Sequence, residues 1–338
     1  MINSSLVGER EQERGMEKLG EKRRVCVTGA GGFIASWLVK VLLKKGFILH
    51  GTVRDPSDEK NAHLKKLENA SENLQLFKAD LLDYHAITSA IAGCEGVFHV
   101  ASPVPAAKVP NPEVEVITPA VTGTLNVLKA CREAKVKRVV VVSSGAAITM
   151  IPNWPEDKMK DESCWSDKEY CRITESWYSL SKTLAESEAL EYAEKHGLDV
   201  VTVCPFVVIG PLLQPTVNSS SLFLINILTG VRESVENKRW SFVDVRDVVD
   251  ALLLVYEKPE ASGRYICASH TVKLRDLVDM LKSMYPNYNY SKTFVEGVEG
   301  SLVSSEKLKM LGWECRRLEE SLIDSVECYR DAGLLSKD

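Results

Sequence analysis

The chain has 338 residues, 45% hydrophobic and 26% charged: enough for one large core with an appended lobe, and too balanced for a disordered chain, a collagen-like repeat or a coiled-coil rod. Forty-two basic residues against 47 acidic ones leave a formal net charge of −5, so no broad positive surface awaits a nucleic-acid backbone, and no nucleic-acid partner is expected. The longest apolar runs, Val139–Val142 and Ala251–Tyr256, fall far short of the ~20 residues that cross a bilayer, so no membrane partner is expected either.

Residues 1–23 are rich in Glu, Arg, Lys and Gly, lack an apolar stretch, and read as a disordered tail in which Met16 is an alternative start. The nine scattered cysteines contain no CxxC pair, which predicts reduced thiols in a cytoplasmic setting and no metal.

From Arg24 onward strands and helices alternate. Val25–Thr28 is a β-branched strand that ends in Gly29-Ala30-Gly31-Gly32, and Phe33–Lys45 then carries apolar residues at helical spacing until Gly46. Ile48–Val53 is the next strand. A helix over 62–68, a strand over 74–79, a helix over 84–92 and a strand over 96–100 follow. A proline-bearing loop leads to a long helix near 116–134 and a strand at 138–143. Residues 151–175 are irregular, Trp177–His196 is a strong helix closed by Gly197, and Val200–Val203 is one more buried strand. Strands apolar on both faces and separated by helices predict a doubly wound parallel α/β sheet. We therefore expect a dinucleotide-binding domain over 24–204. A smaller mixed α/β substrate lobe should occupy 205–338, with segments near 241–270 returning to the sheet.

The glycine-rich turn carries the first chemistry. Gly29 suits a tight turn, Gly31 and Gly32 let backbone approach a pyrophosphate, and Phe33 and Ile34 open a helix whose free N–H groups favour phosphate. Its GxxGxxA spacing, Gly29 to Ala35, resembles that of the extended short-chain dehydrogenase/reductases, Rossmann-fold enzymes. Within that comparison the end of the second strand offers Arg54 where an NAD site would place a carboxylate, with Lys60 six residues on. Two cations there suit the 2′-phosphate of NADP(H).

Tyr178 and Lys182 stand four apart at the start of the Trp177 helix and share a face, where an ammonium is expected to lower the phenol pKa. The same spacing in Tyr288 and Lys292 falls in turn-like sequence and is set aside as a solvated loop. The resemblance implies that Ser144 polarises a substrate carbonyl, that Tyr178 protonates it and that Lys182 supports both. Ser143 is left to satisfy backbone groups. It further implies that Asp80, Leu81, Val100, Ala101 and Ser102 line the adenosine, and that Pro205 and Val208 lie near the nicotinamide.

Over about 24–333 the chain resembles more narrowly the plant cinnamoyl-CoA reductase and dihydroflavonol reductase group. The resemblance is carried by Gly93–His99, Asp161–Asp167 and Gly210–Asn218. That group implies a small aromatic carbonyl substrate of the phenylpropanoid type. Its thioester reductases hold coenzyme A with a histidine and a lysine at the positions of Phe223 and Asn226. Here an apolar ring and an amide replace them, which favours an aldehyde, with Phe206, Phe223 and Asn226 facing it. Lys273 and Arg275 keep the thioester as the alternative. An idle NADP(H)-binding sensor on the same fold is the reading from another class.

Overall fold

The computed structural model describes residues 23–104, 109–297 and 299–336, so the expected N-terminal tail lies almost wholly outside the described residues. The first half builds β1 (Arg24–Thr28), α1 (Phe33–Lys44), β2 (Ile48–Val53), β3 (Leu74–Lys78), α2 (Tyr84–Ile91), β4 (Gly96–His99), α3 (Thr118–Glu133), β5 (Arg138–Val142), α4 (Trp177–His196) and β6 (Val200–Pro205). The second half adds β7 (Val207–Ile209), α5 (Ser219–Thr229), β8 (Ser234–Glu236), β9 (Arg239–Asp244), α6 (Val245–Glu257), β10 (Gly263–Cys267), β11 (His270–Lys273), α7 (Leu274–Met284), β12 (Thr293–Val295) and α8 (Leu318–Asp331).

Seven strands form one sheet in the order β10-β6-β5-β4-β1-β2-β3, parallel throughout. Strand side chains alternate between two faces, and here both are covered. Val25, Val27, Val140 and Val142 point to a core shared with Leu38 and Leu42 of α1 and Val248 and Leu252 of α6. Cys26, Val97, Val139 and Val141 point the other way, onto Ile87 of α2, Val127 and Leu128 of α3 and Ala189 of α4.

The sequence-predicted helix near 62–68 is two short helices, Ala62–Lys65 and Ala70–Asn73, broken by Asn69 in the left-handed conformation. The long helix begins with a wider π turn at Glu113–Ile117, where the carbonyl of Glu113 takes the N–H of Thr118.

Residues after β6 build a second layer. β7, β9 and β11 form a three-stranded sheet, with β9 parallel to β7 and antiparallel to β11. Leu224 and Leu228 of α5, Leu277 and Leu281 of α7, and Leu322 and Tyr329 of α8 close on it as a separate core. The chain meanwhile re-enters the main sheet, where β10 is the edge strand beside β6.

Arg138 ties that return in place. Its side chain donates to the carbonyls of Val255 (2.8 Å) and Lys258 and pairs with Asp199 (2.8 Å), so β5 holds the end of α6. Truncating a buried cation that satisfies several carbonyls strands them. We expect Arg138→Ala to lower unfolding stability by about 3 kcal/mol in urea titration; a loss below about 0.5 kcal/mol would remove Arg138 from this role.

Candidate active site

The strand order reverses between β1 and β4, and the crevice at the carboxyl ends of those strands is where doubly wound folds take dinucleotides. Gly29 turns there with φ +65°, and a Cβ on it would sit 2.9 Å from the Cβ of Ala101. Its N–H donates to the hydroxyl of Thr52 (3.1 Å), which fixes the turn against β2. Gly32 precedes α1, no side chain caps that helix, and its first-turn N–H groups at Phe33 and Ile34 have no carbonyl a turn earlier to accept them.

Gly31 is crowded for a different reason. A Cβ there would lie 2.1 Å from the Oδ1 of Asn61, a buried side chain whose amide donates to the carbonyl of Asp55 (2.8 Å). Asn61 escaped sequence reasoning because its contact crosses from a different loop. His63, also unforeseen, donates to the carbonyl of Lys60 (2.9 Å) and meets the hydroxyl of Ser36 at 2.8 Å, holding residues 54–63 against α1.

Of the two cations expected at the ribose, Arg54 is exposed at the end of β2 and has no ion-pair partner among the described residues. Lys60 instead pairs with Asp58 at 2.6 Å. Asp80 is exposed and accepts from the N–H of Leu82 (2.9 Å), while the carbonyl of Leu81 takes the amide of Asn126 (2.9 Å).

Val100–Ser102 is set by a buried relay that the sequence did not announce. Thr124 donates to the carbonyl of Ala120 (2.7 Å), so it accepts from the Nε2–H of His99 (3.1 Å). The remaining ring nitrogen then accepts from Thr28 (2.9 Å), whose oxygen in turn takes the N–H groups of Val100 and Ala101, both at 3.1 Å. Burial, aided by the Lys182 charge, lowers the His99 pKa to about 3, so the imidazole stays neutral.

Ser144, Tyr178 and Lys182 do meet. Ser144 follows β5 at the head of the short helix Ala146–Thr149, where its hydroxyl accepts from the N–H of Ala146 (3.1 Å) beside the Tyr178 phenol. Lys182 is one turn deeper on α4, buried, and donates to the carbonyl of Val142 at 2.9 Å.

The electrostatics depart from the expectation that Lys182 lowers the Tyr178 pKa. Burial raises it, and the Ser144 hydroxyl is what pulls it down. Lys182 is itself lowered to about 8 by burial, against the opposing pull of Glu186 and Cys204. Helical spacing gave the shared face, but Lys182 lies deeper and spends its hydrogen bond on β5. A phenol with a raised pKa stays protonated at neutral pH, which suits a proton donor. Ser143 departs too, since its hydroxyl donates to the Glu186 carboxylate (2.7 Å) instead of serving backbone.

On the lobe side, the carbonyl of Pro205 takes the N–H of Gly145 (2.8 Å) and that of Val208 takes the hydroxyl of Ser220 (2.6 Å), so both carbonyls are already engaged. Phe206 lies flat on Gly145, where a Cβ would come within 2.7 Å of its ring. Phe223 packs at a tilt against Trp240 with centroids 4.7 Å apart, and Asn226 is exposed on α5. Lys273 pairs with Glu299 (2.7 Å), and the Arg275 guanidinium rests 5.0 Å from the centre of the Phe294 ring. Tyr288 is no free loop residue: its hydroxyl donates to the carbonyl of Ser336 (2.7 Å) and accepts from Arg330 (2.9 Å).

A parallel sheet in this order, a glycine turn opening an uncapped helix at its switch point, and a Ser-Tyr-Lys cluster on the same edge define a dinucleotide-dependent oxidoreductase. The chain belongs to the NAD dependent epimerase/dehydratase family, whose model matches residues 25–268. It is 47% identical to cinnamoyl-CoA reductase 1 of Petunia hybrida over 315 residues, 92% of this chain and 93% of that one. Among solved structures it resembles vestitone reductase from alfalfa (Medicago sativa) with a TM-score of 0.81, 33% identity, and coverage of 93% of this chain and all of that one. The yeast methylglyoxal/isovaleraldehyde reductase Gre2 complexed with NADPH superposes with a TM-score of 0.80 at 26% identity, over 92% of this chain and all of that one. No helix among the described residues is long and apolar enough to cross a membrane.

The crowding at Gly31 yields a direct check. Gly31→Ala must displace the buried Asn61 side chain beside the phosphate turn, so NADPH affinity measured by cofactor fluorescence should fall at least tenfold, equivalent to about 1.4 kcal/mol. Unchanged affinity would show that the turn does not hold the pyrophosphate.

Proposed function

We propose that the protein is an NADPH-dependent reductase that converts a hydroxycinnamoyl-CoA thioester to the aldehyde and free coenzyme A. The observation that carries the reading is the half-buried Tyr178 phenol beside Ser144, with buried Lys182 one turn below, on the sheet edge that also presents the glycine turn. Similarity to cinnamoyl-CoA reductases supports the thioester over the aldehyde that the sequence favoured. Arg54, exposed just past β2 and without an ion-pair partner among the described residues, supports NADP(H) over NAD.

When bound, the nicotinamide supplies hydride to the carbonyl carbon. Ser144 donates to the carbonyl oxygen and holds charge as it develops there. Tyr178, kept protonated by burial, is the proton donor to that oxygen, and Lys182, one turn below it, holds the end of β5 through the carbonyl of Val142. With a thioester the C–S bond then breaks as the carbonyl re-forms, and the proton passes to the departing sulfur.

Reduction of a free phenylpropanoid aldehyde to its alcohol is the second reading. It is favoured by Phe223 packed on Trp240 and by the uncharged Asn226, which leave α5 without a cation for the phosphates of coenzyme A.

Tyr178→Phe should lower kcat by about 10²–10⁴-fold while leaving NADPH binding intact; retained kcat would refute the assignment. Feruloyl-CoA and coniferaldehyde compared side by side with NADPH should give the higher kcat/KM on the thioester. The opposite order would put the aldehyde first.

A further inference from the structure

The proposed mechanism leaves a buried carboxylate unused. Glu186 lies on α4 one turn beyond Lys182, with its side chain wholly buried. It accepts from Ser143 (2.7 Å), from Thr202 (2.6 Å) and from the Arg264 guanidinium (2.9 and 3.2 Å), while the Cys204 thiol sits 3.3 Å away. Arg264 comes from β10, the edge strand. It also donates to the carbonyls of Glu162 (2.9 Å) and Cys164 (2.7 Å), and its guanidinium lies 3.5 Å from the centre of the Trp165 ring. Between Glu186 and Lys182 is a small cavity with room for about one water, lined also by His99, Thr124 and Ser143.

We propose that Glu186, paired with Arg264, is a positioning residue for this site: it fixes the strand end that carries Ser144 and supplies the negative charge that balances the Lys182 ammonium. The inference rests on the reading of Lys182 as part of the catalytic cluster.

A buried carboxylate that accepts from a bidentate guanidinium and two hydroxyls is fixed in orientation by charge-assisted hydrogen bonds. A hydroxyl that merely needed a partner could have taken a carbonyl; Ser143 takes the carboxylate, which locks the residue before Ser144 in register with α4.

The other groups around Lys182 carry little charge. His99 of β4 is neutral, the Cys204 thiol of β6 is kept protonated by burial, and Tyr178 on the same helix stays a phenol. From β5 it meets the carbonyl of Val142, and the α3 group that lines the cavity, Thr124, is uncharged. Glu186 is the carboxylate that opposes burial of the ammonium, with Arg264 one shell further out.

The test uses the full chain labelled with ¹³Cε-lysine, the Lys182 resonance being identified by its loss in Lys182→Met. Glu186→Gln should lower the Lys182 titration midpoint by about one pH unit. The double variant Glu186→Gln/Arg264→Gln, which strands no buried charge, should lower it by less and stands in if the single variant does not fold. Arg264→Lys, which keeps the charge, should leave it in place. An unmoved midpoint in both glutamine variants would overturn the inference. In reductase assays the alkaline limb of kcat/KM should track the midpoint, whereas a purely structural role would lower kcat at every pH without moving the limb. A wild-type protein that shows the shift by resonance but reduces no carbonyl would refute the proposed function and leave the coupling standing.

Discussion

The Glu186–Arg264 pair is the interaction on which the arrangement of this site depends. A charge pair removed from water is costly unless its remaining valences are satisfied, and here each is: two hydroxyls and a thiol complete the carboxylate, two carbonyls and an indole face complete the guanidinium. Satisfying them draws together α4, the ends of β5 and β6, the edge strand β10 and the irregular segment around Glu162–Trp165. Four other pieces of chain are thereby fixed against one helix. That helix carries Tyr178 and Lys182.

The cofactor side follows the same logic with neutral groups. The phosphate turn presents backbone to solvent because side chains elsewhere hold it from behind: Thr52 takes the N–H of Gly29, Asn61 fills the space beside Gly31, and the Thr28–His99–Thr124 relay pins Val100 and Ala101. The crevice is thus lined by N–H groups and small residues and backed by buried hydrogen bonds. Such a surface is pre-organised for an anion before the anion arrives.

Burial also decides the proton chemistry. The same desolvation raises the Tyr178 phenol above its usual value and lowers the Lys182 ammonium to about 8, so the phenol becomes the weaker acid of the two. In the reductive direction this keeps the donor loaded. Burial of the Lys182 ammonium is opposed chiefly by Glu186, so its charge is more sensitive to neighbours than that of a surface lysine.

The sequence by itself determined the doubly wound sheet, because strands apolar on both faces alternate with helices of the right length, and each core position is set by local periodicity. It also marked the glycine turn and the Tyr178–Lys182 pair, since both are short-range spacings on one element. The tertiary structure alone decided what those groups touch. Asn61 behind Gly31, the His99 relay and Arg264 beneath Glu186 join residues tens of positions apart, and hydrogen-bond partners at such separations leave no periodic trace in a single chain. For the same reason the direction of the Tyr178 shift was not legible: helical spacing gives a shared face, but how deep each group lies is set by the strands and helices packed over it.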